Sequence, residues 1–180
     1  MDEAFIVNVS DAVAIGHSRR STVIALEGGG RTWPEVGVNV QVLEPGKPNC
    51  RYHRETSQED FLVLMGECKV ILEGEERALR QWDFVHCPAG TEHVFVGAGD
   101  GPSAVLMIGS RRDGSVHYPV NELAAAYDAS VKEPTDSPAE AYADWNVEPK
   151  RPVTNPWPEL TGREGAAGAG GAGGSPGSGS

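Results

Sequence analysis

From Val36 to Tyr118 apolar and polar residues alternate over short stretches separated by turn residues, and the 3.6-residue periodicity of an amphipathic helix is almost absent. This pattern predicts strands at Val36 to Leu43, Phe61 to Met65, Cys68 to Glu73, Arg77 to Arg80, Phe84 to Cys87, Glu92 to Val96 and Ala104 to Ile108. Alternation puts Cys68, Val70 and Leu72 on one face, and Glu73-Gly74-Glu75 suits a hairpin turn. Many short strands with frequent turns describe an all-β sandwich or barrel.

The flanks read differently. In residues 1–35 a β-rich run, Ser21 to Leu26, ends at Gly28-Gly29-Gly30, and predicts a strand added to the barrel or to a neighbouring subunit. Residues 119–160 predict short helices and loops on the outside of the barrel. Asn121 suits the cap of a helix with Leu123, Ala126 and Tyr127 on one face. Ser137, Pro138 and Glu140 spell a capping box before Tyr142 and Trp145. Pro149, Pro152, Pro156 and Pro158 then stop continued helix. Residues 161–180 are Gly, Ala and Ser with almost nothing bulky to bury, the composition of a disordered tail.

Composition narrows the partners. A chain of 180 residues suits one domain with tails, and its formal net charge of -11 opposes binding to nucleic acid or to anionic membranes. The pairs Arg19-Arg20 and Arg111-Arg112 read as solvated surface. No apolar run approaches the roughly 20 residues that span a bilayer. The acidic start, Met1-Asp2-Glu3, is unlike a secretory signal, so a cytoplasmic protein is expected. Cys50, Cys68 and Cys87 form no C-x-x-C pair and read as reduced thiols, the latter two in the core. No internal repeat is evident.

Candidate chemistry gathers around two histidines. His53 and Glu55 leave one face of an extended segment, and Glu59 keeps the same parity, although Thr56-Ser57-Gln58 could turn the chain between them. His93 follows the turn Pro88-Ala89-Gly90-Thr91, and a barrel can bring it to face His53. Imidazole with carboxylate suits Fe(II), Mn(II), Zn(II) or Ni(II). Read singly, each residue has an ordinary role: a histidine in a strand is commonly a hydrogen-bonded core or surface group, and Glu55, Glu59 and Asp60 could form a solvated face. One of His86 and Cys87 must face the interior of a regular strand, which makes His86 a candidate general acid or base. Tyr52 and Arg54 take the opposite parity to His53 and are expected to face outward, and Trp82 is expected to pack at the barrel end.

These stretches resemble the two motifs of the cupin family, G-x5-H-x-H-x3 or x4-E-x6-G and G-x5-P-x-G-x2-H-x3-N. The first is matched by Gly46, His53, Glu59 and Gly66, and the second by Pro88, Gly90 and His93, with Asp83 near its start. Gly46 stands one residue farther from His53 than the formula, Trp82 replaces the leading Gly of the second motif, and Gly97 replaces its Asn. Glu55 occupies the place of the second histidine. A different register would put Tyr52 and Arg54 in the two histidine places and abolish the site.

The resemblance implies a double-stranded β-helix, a jelly-roll barrel over residues 36–118, in a homodimer, with a divalent metal ion on His53, Glu55, Glu59 and His93, or on His53, Glu59 and His93 alone with more open positions if Glu55 points away. It also implies a metal-dependent enzyme acting on a small polar metabolite, with isomerase, dioxygenase or lyase chemistry in which Glu55 or Glu59 serves as base. The alternatives are a noncatalytic metal- or ligand-binding cupin acting as sensor or accessory protein, and a metal-free barrel in which Glu55 marks a decayed site.

Overall fold

The computed structural model describes residues 4–27, 32–112, 114–146 and 150–162. After a 3-10 turn at Val9–Asp11 the strands run β1 (Val13–His17), β2 (Arg20–Ala25), β3 (Val36–Leu43), β4 (Arg54–Glu55), β5 (Glu59–Met65), β6 (Glu67–Leu72), β7 (Glu75–Arg80), β8 (Phe84–Cys87), β9 (His93–Ala98), β10 (Ser103–Ser110), β11 (Val116–His117) and β12 (Arg151–Val153). One-turn helices α1 (Glu122–Ala125) and α2 (Pro138–Ala141) precede β12, and α3 (Trp157–Thr161) follows it. Among the described residues the strands form a seven-stranded sheet in the order β12-β1-β2-β3-β10-β5-β8, a three-stranded sheet β7-β6-β9 and the pair β11-β4.

The two larger sheets close over an interior of Leu43, Phe61, Val63, Cys68, Val70, Val85, Cys87, Phe95, Val105 and Met107. This is the barrel that the alternation predicts, in the double-stranded β-helix form that the family resemblance implies. Its outer faces are also covered. Ala12, Ala14, Ile24, Val40, Val42 and Ala104 pack with Trp157 and Leu160 behind the large sheet. Tyr52, Ile71, Val94, Ala124 and Ala129 pack behind the small one. Strands with both faces buried read as continuous apolar runs, which is why Val94-Phe95-Val96 shows no alternation.

Local expectations fare unevenly. The turn after β6 has both Glu73 (φ 50°) and Gly74 (φ 77°) in the left-handed region, which gives the two-residue loop the twist of its flanking strands. Asn121 caps α1 by accepting from Ala124 N–H, but the buried residue is Ala124, while Leu123 is exposed. Ser137 caps α2 as expected; Glu140 does not close the box, because it accepts from the Thr135 hydroxyl instead. The prolines stop long helix, yet α3 begins straight after Pro156, with Pro158 in its first turn, where no N–H is required. The late strand β12, paired with β1, has no signal in the sequence. Beyond Gly162 the Gly/Ala/Ser tail lies outside the described residues. No helix among the described residues is long and apolar enough to cross a membrane.

Two turn positions explain departures from the family motifs. Trp82 does not pack at the barrel end: it is 67% exposed at φ 76°, a conformation that favours glycine, the residue the motif has there. At position 97 a β-carbon would lie 2.2 Å from Glu44 O and 3.0 Å from Leu43 O, both backbone atoms. Gly97→Asn, which restores the motif residue, is therefore expected to destabilise the protein by about 1–3 kcal/mol through overpacking. A urea midpoint equal to wild type would contradict this.

Candidate metal centre

The centre forms where the small sheet meets the large one. His53 precedes β4 and His93 opens β9, and the two are direct antiparallel partners. Each backbone N–H donates to the other's carbonyl, at 3.1 Å from His53 and 2.8 Å from His93. Side chains of such a pair leave the same face, so the ring centroids stand 4.8 Å apart. Glu59 opens β5, paired with Gly109 of β10 and Cys87 of β8. Its Oε2 lies 3.4 Å from His93 Nε2 and 3.9 Å from His53 Nε2. One donor atom from each of His53, Glu59 and His93 falls within 4.8 Å of the other two.

The second nitrogen of each ring is held by the backbone. His53 Nδ1 is 2.8 Å from Arg51 O, and His93 Nδ1 is 3.1 Å from Thr91 O. A carbonyl only accepts, so both Nδ1 atoms carry the proton and both Nε2 atoms present lone pairs. His93 Nε2 is buried without a hydrogen-bond partner. Two imidazole lone pairs thus converge on the Glu59 carboxyl group. A cation satisfies such a donor set, and carbonyl-oriented imidazoles are the usual partners of a metal-bound nitrogen. The residues fit a divalent ion with nitrogen and oxygen ligands.

Burial sets the proton affinities without an ion. Desolvation, with the neighbouring His53, lowers the His93 imidazole to about 3 from 6.5, and desolvation lowers His53 as well. Desolvation and the Glu55 carboxylate raise Glu59 to about 8 from 4.5, and desolvation raises Glu55. Below pH 4.5 the unfolded chain binds a proton that folded His93 refuses, so stability falls as pH drops towards 3. Between 4.5 and 6.5 this is balanced by the proton that folded Glu59 retains. Above 6.5 the His93 difference is gone while that of Glu59 remains, in the same direction as Glu55, and stability falls towards pH 8. Metal-free protein is therefore expected to melt highest between pH 4.5 and 6.5, whereas bound metal, which needs ionised Glu59, removes the fall towards pH 8. Melting curves with and without Mn(II) check this; a metal-free melting point that does not fall between pH 6.5 and 8 would contradict it.

The other expected site residues separate. Glu55 lies beside the three donors, its Oε1 3.8 Å from His53 Nε2, half-buried in the cavity wall. His86 is not brought to the site: it is exposed on the outer face, with Nδ1 2.6 Å from Asp60 Oδ1, while Cys87 takes the interior. Tyr52 faces away from the barrel as expected but is fully buried beneath the C-terminal segment, and Arg54 is exposed and paired with Glu92. The register with these two in the histidine places is thereby excluded. Cys68 and Cys87 are buried free thiols, and Cys50 Sγ is 3.5 Å from His53 Nδ1.

A cavity of about 320 Å³ opens over the centre. Its lining includes Asn39, Gln41, Arg111, Tyr118 and Tyr142, none of which motif reasoning identifies. Burial pushes the Tyr118 hydroxyl up to about 12, so it stays a proton donor at neutral pH. Arg111 and Arg112 are both exposed, as expected, but Arg111 follows the inward parity of Met107 and Gly109, lines the cavity and pairs with Glu27. That parity is its one signal in the sequence.

Residues 39–109 match a family model described as "Cupin domain". No curated protein sequence matches the chain. Among solved structures, a proposed sugar phosphate isomerase from Acidithiobacillus ferrooxidans is 28% identical, with a TM-score of 0.50 over 55% of this chain. The match covers 65% of that protein, so the chain spans less than two thirds of its length. The polyketide cyclase RemF from Streptomyces resistomycificus is 16% identical with a TM-score of 0.53, over 61% of this chain and 81% of that one. An uncharacterized conserved protein with a double-stranded β-helix domain from Klebsiella pneumoniae is 17% identical with a TM-score of 0.53, over 63% and 96%. The latter two establish likeness of fold.

Proposed function

From the premise that residues 39–109 are a cupin domain, we propose that the protein is a divalent-metal-dependent enzyme that moves a proton on a small polar metabolite, in isomerase- or lyase-type chemistry. The observation that carries this reading is the pair of backbone-oriented imidazoles whose Nε2 lone pairs converge on Glu59, with a second carboxylate, Glu55, 3.8 Å from His53 Nε2. The likeness to the proposed isomerase supports the reaction class.

His53, Glu59 and His93 would hold the ion. When bound, a divalent ion would supply Lewis acidity that acidifies a substrate carbon next to a polarised carbonyl. Glu55 is left to take and return the proton, and its desolvated carboxyl has the raised proton affinity that suits a base near neutral pH. Tyr118 and Tyr142 line the cavity as neutral hydroxyls that can orient substrate oxygens.

The test separates ligand from base. Glu55→Gln is expected to keep its metal content but to lose about 100-fold or more in solvent-deuterium wash-in at the carbon beside the carbonyl of a sugar or hydroxyketone substrate. Glu59→Gln is expected to lose the metal. Wash-in absent from wild type with Fe(II), Mn(II), Zn(II) and Ni(II) across aldoses and ketoses would favour a noncatalytic binding protein, and metal loss in Glu55→Gln would make Glu55 a ligand.

A further inference from the structure

Arg111 is held at the cavity mouth in a way that leaves two of its five N–H donors unused. Nη1 donates to Glu27 Oε2 at 2.9 Å and to Trp33 O at 2.6 Å, and Nη2 donates to Glu27 Oε1 at 2.7 Å. Glu27 also accepts from the backbone N–H groups of Trp33 and Val38. Burial pushes the Glu27 carboxyl up, but Arg111 and the two N–H groups prevail and hold it below the usual range, so Glu27 is ionised at neutral pH. The Nε–H and the second Nη2–H, on one edge of the guanidinium, have no acceptor among the described residues. A guanidinium edge of this kind matches the two oxygens of a carboxylate or phosphate.

The wall beside that edge lacks side chains. Gly37 and Gly109 are direct partners across β3 and β10. A β-carbon at Gly37 would sit 2.9–3.2 Å from Nη2, Cζ and Nε of Arg111, covering the free edge. A β-carbon at Gly109 would meet nothing nearer than Glu59 Oε1, at 3.7 Å. Given the ordinary 4.5–5.5 Å between cross-strand β-carbons, Arg111 Nη2 and the Glu59 carboxylate lie within about 12 Å of each other across this bare floor. Asn39, the next inward position on β3, contributes a buried Oδ1 with no hydrogen-bond partner, and His93 Nε2 is likewise buried and unpartnered at the other end of the cavity. The cavity thus offers an oxyanion-matching edge, an acceptor awaiting a hydroxyl, and the metal ligands.

We propose that the cavity takes a small hydroxylated oxyanion, its carboxylate or phosphate group bound by the free edge of Arg111 and its hydroxyl donating to Asn39 Oδ1. The assignment rests on the metal-centre reading, because Glu55 and Glu59 alone would repel an anion and a divalent ion offsets them. Neutral polyols lack the group that the Arg111 edge recognises.

Calorimetry on the full chain, metal-free and after Mn(II) loading and dialysis, tests this with glycerate, glycerol 3-phosphate and glycerol as probes. Manganese-loaded wild type is expected to bind one or both anions at least tenfold more tightly than glycerol, the preferred anion identifying carboxylate or phosphate. Arg111→Gln should erase that preference with its manganese content unchanged. Asn39→Ala removes no hydrogen bond found in the structure; it should weaken glycerate severalfold and leave propionate unaffected, which tests the arrangement even if Arg111→Gln fails to fold. Equal binding of anions and glycerol, or an anion preference that survives in Arg111→Gln, would overturn the proposal while leaving the metal reading intact. If the protein takes up no manganese the metal reading fails, and the metal-free titrations decide: anion binding lost in Arg111→Gln upholds the Arg111 site, and no anion binding ends both.

Discussion

His93→Ala, dialysed against Mn(II) beside wild type, is expected to retain less than about a tenth of the wild-type metal, because it removes one of three converging donors and the affinity falls by about 100-fold or more. The effect on folding should be opposite for a different substitution. In metal-free protein the His93 Nε2 is a buried acceptor with no partner, packed against Phe61 and Phe95 at ring-centroid distances of 5.1 and 6.3 Å. Leucine removes the unpartnered acceptor and packs on the two phenyl rings, which offsets the loss of the Nδ1–H donor to Thr91 O. His93→Leu is therefore expected to lose the metal and yet melt, without metal, at or above the wild-type temperature. Full metal content in either variant would remove His93 from the ligand set, and a large drop in the metal-free melting point of His93→Leu would show that the imidazole is structural.

Arg51→Ala is expected to cost about 3–5 kcal/mol, roughly 1 kcal/mol for each of three carbonyls left without a donor together with the lost packing on Trp145, since its carboxylate partners Asp128 and Asp144 are more than half exposed. The Arg51 side chain is 3% exposed, with its guanidinium carbon 4.2 Å from the Trp145 ring centroid. Nε donates to Ala141 O at 3.0 Å, and Nη1 donates to Asp128 O and Ser130 O, each at 2.9 Å. Nη2 reaches Asp144. One side chain thus ties the segment around α1 and α2 to the barrel, two residues from His53. The alanine variant leaves three carbonyls without their donor, and lysine cannot replace a planar fork. Since the carbonyl that orients His53 belongs to the Arg51 backbone, the folded fraction of Arg51→Ala should still bind metal. Urea midpoints with metal analysis test both parts; a loss below 1 kcal/mol would mean that the segment holds by its apolar contacts.

Much of the barrel was legible in the chain. Alternation places β3, β6, β8 and β10, and Glu73-Gly74 marks the hairpin because a turn with two positive φ values tolerates few residues. Where both faces of a strand are covered, alternation carries no information. Position 94 shows this: Val94 is buried behind the small sheet, under a C-terminal segment whose docking depends on Arg51 and not on any periodic pattern. The strand β12 escaped for a related reason, since a three-residue pairing with β1 leaves no repeat to detect.

For the site, local spacing sufficed to nominate His53, Glu59 and His93, because a period of two and a tight turn before His93 put their side chains on inward faces. It could not rank Glu55 against Glu59: both share the parity of His53, and the distance to His93 depends on how β5 and β9 meet across the barrel. Nor could it choose between His86 and Cys87, since parity says that one faces in without saying which. Arg111 shows the same limit from the other side. Its charge argued for solvent, and only the meeting of β2, β3 and β10 supplies the Glu27 carboxylate that lets a guanidinium turn inward over a glycine. The sequence by itself determined the strand pattern, the turns and the nomination of three ligands, which are set by neighbours a few residues apart. The tertiary structure alone decided how near each carboxylate comes to the two imidazoles and which cation lines the cavity, because those distances lie between strands far apart in the chain and the desolvation exists only once the barrel closes.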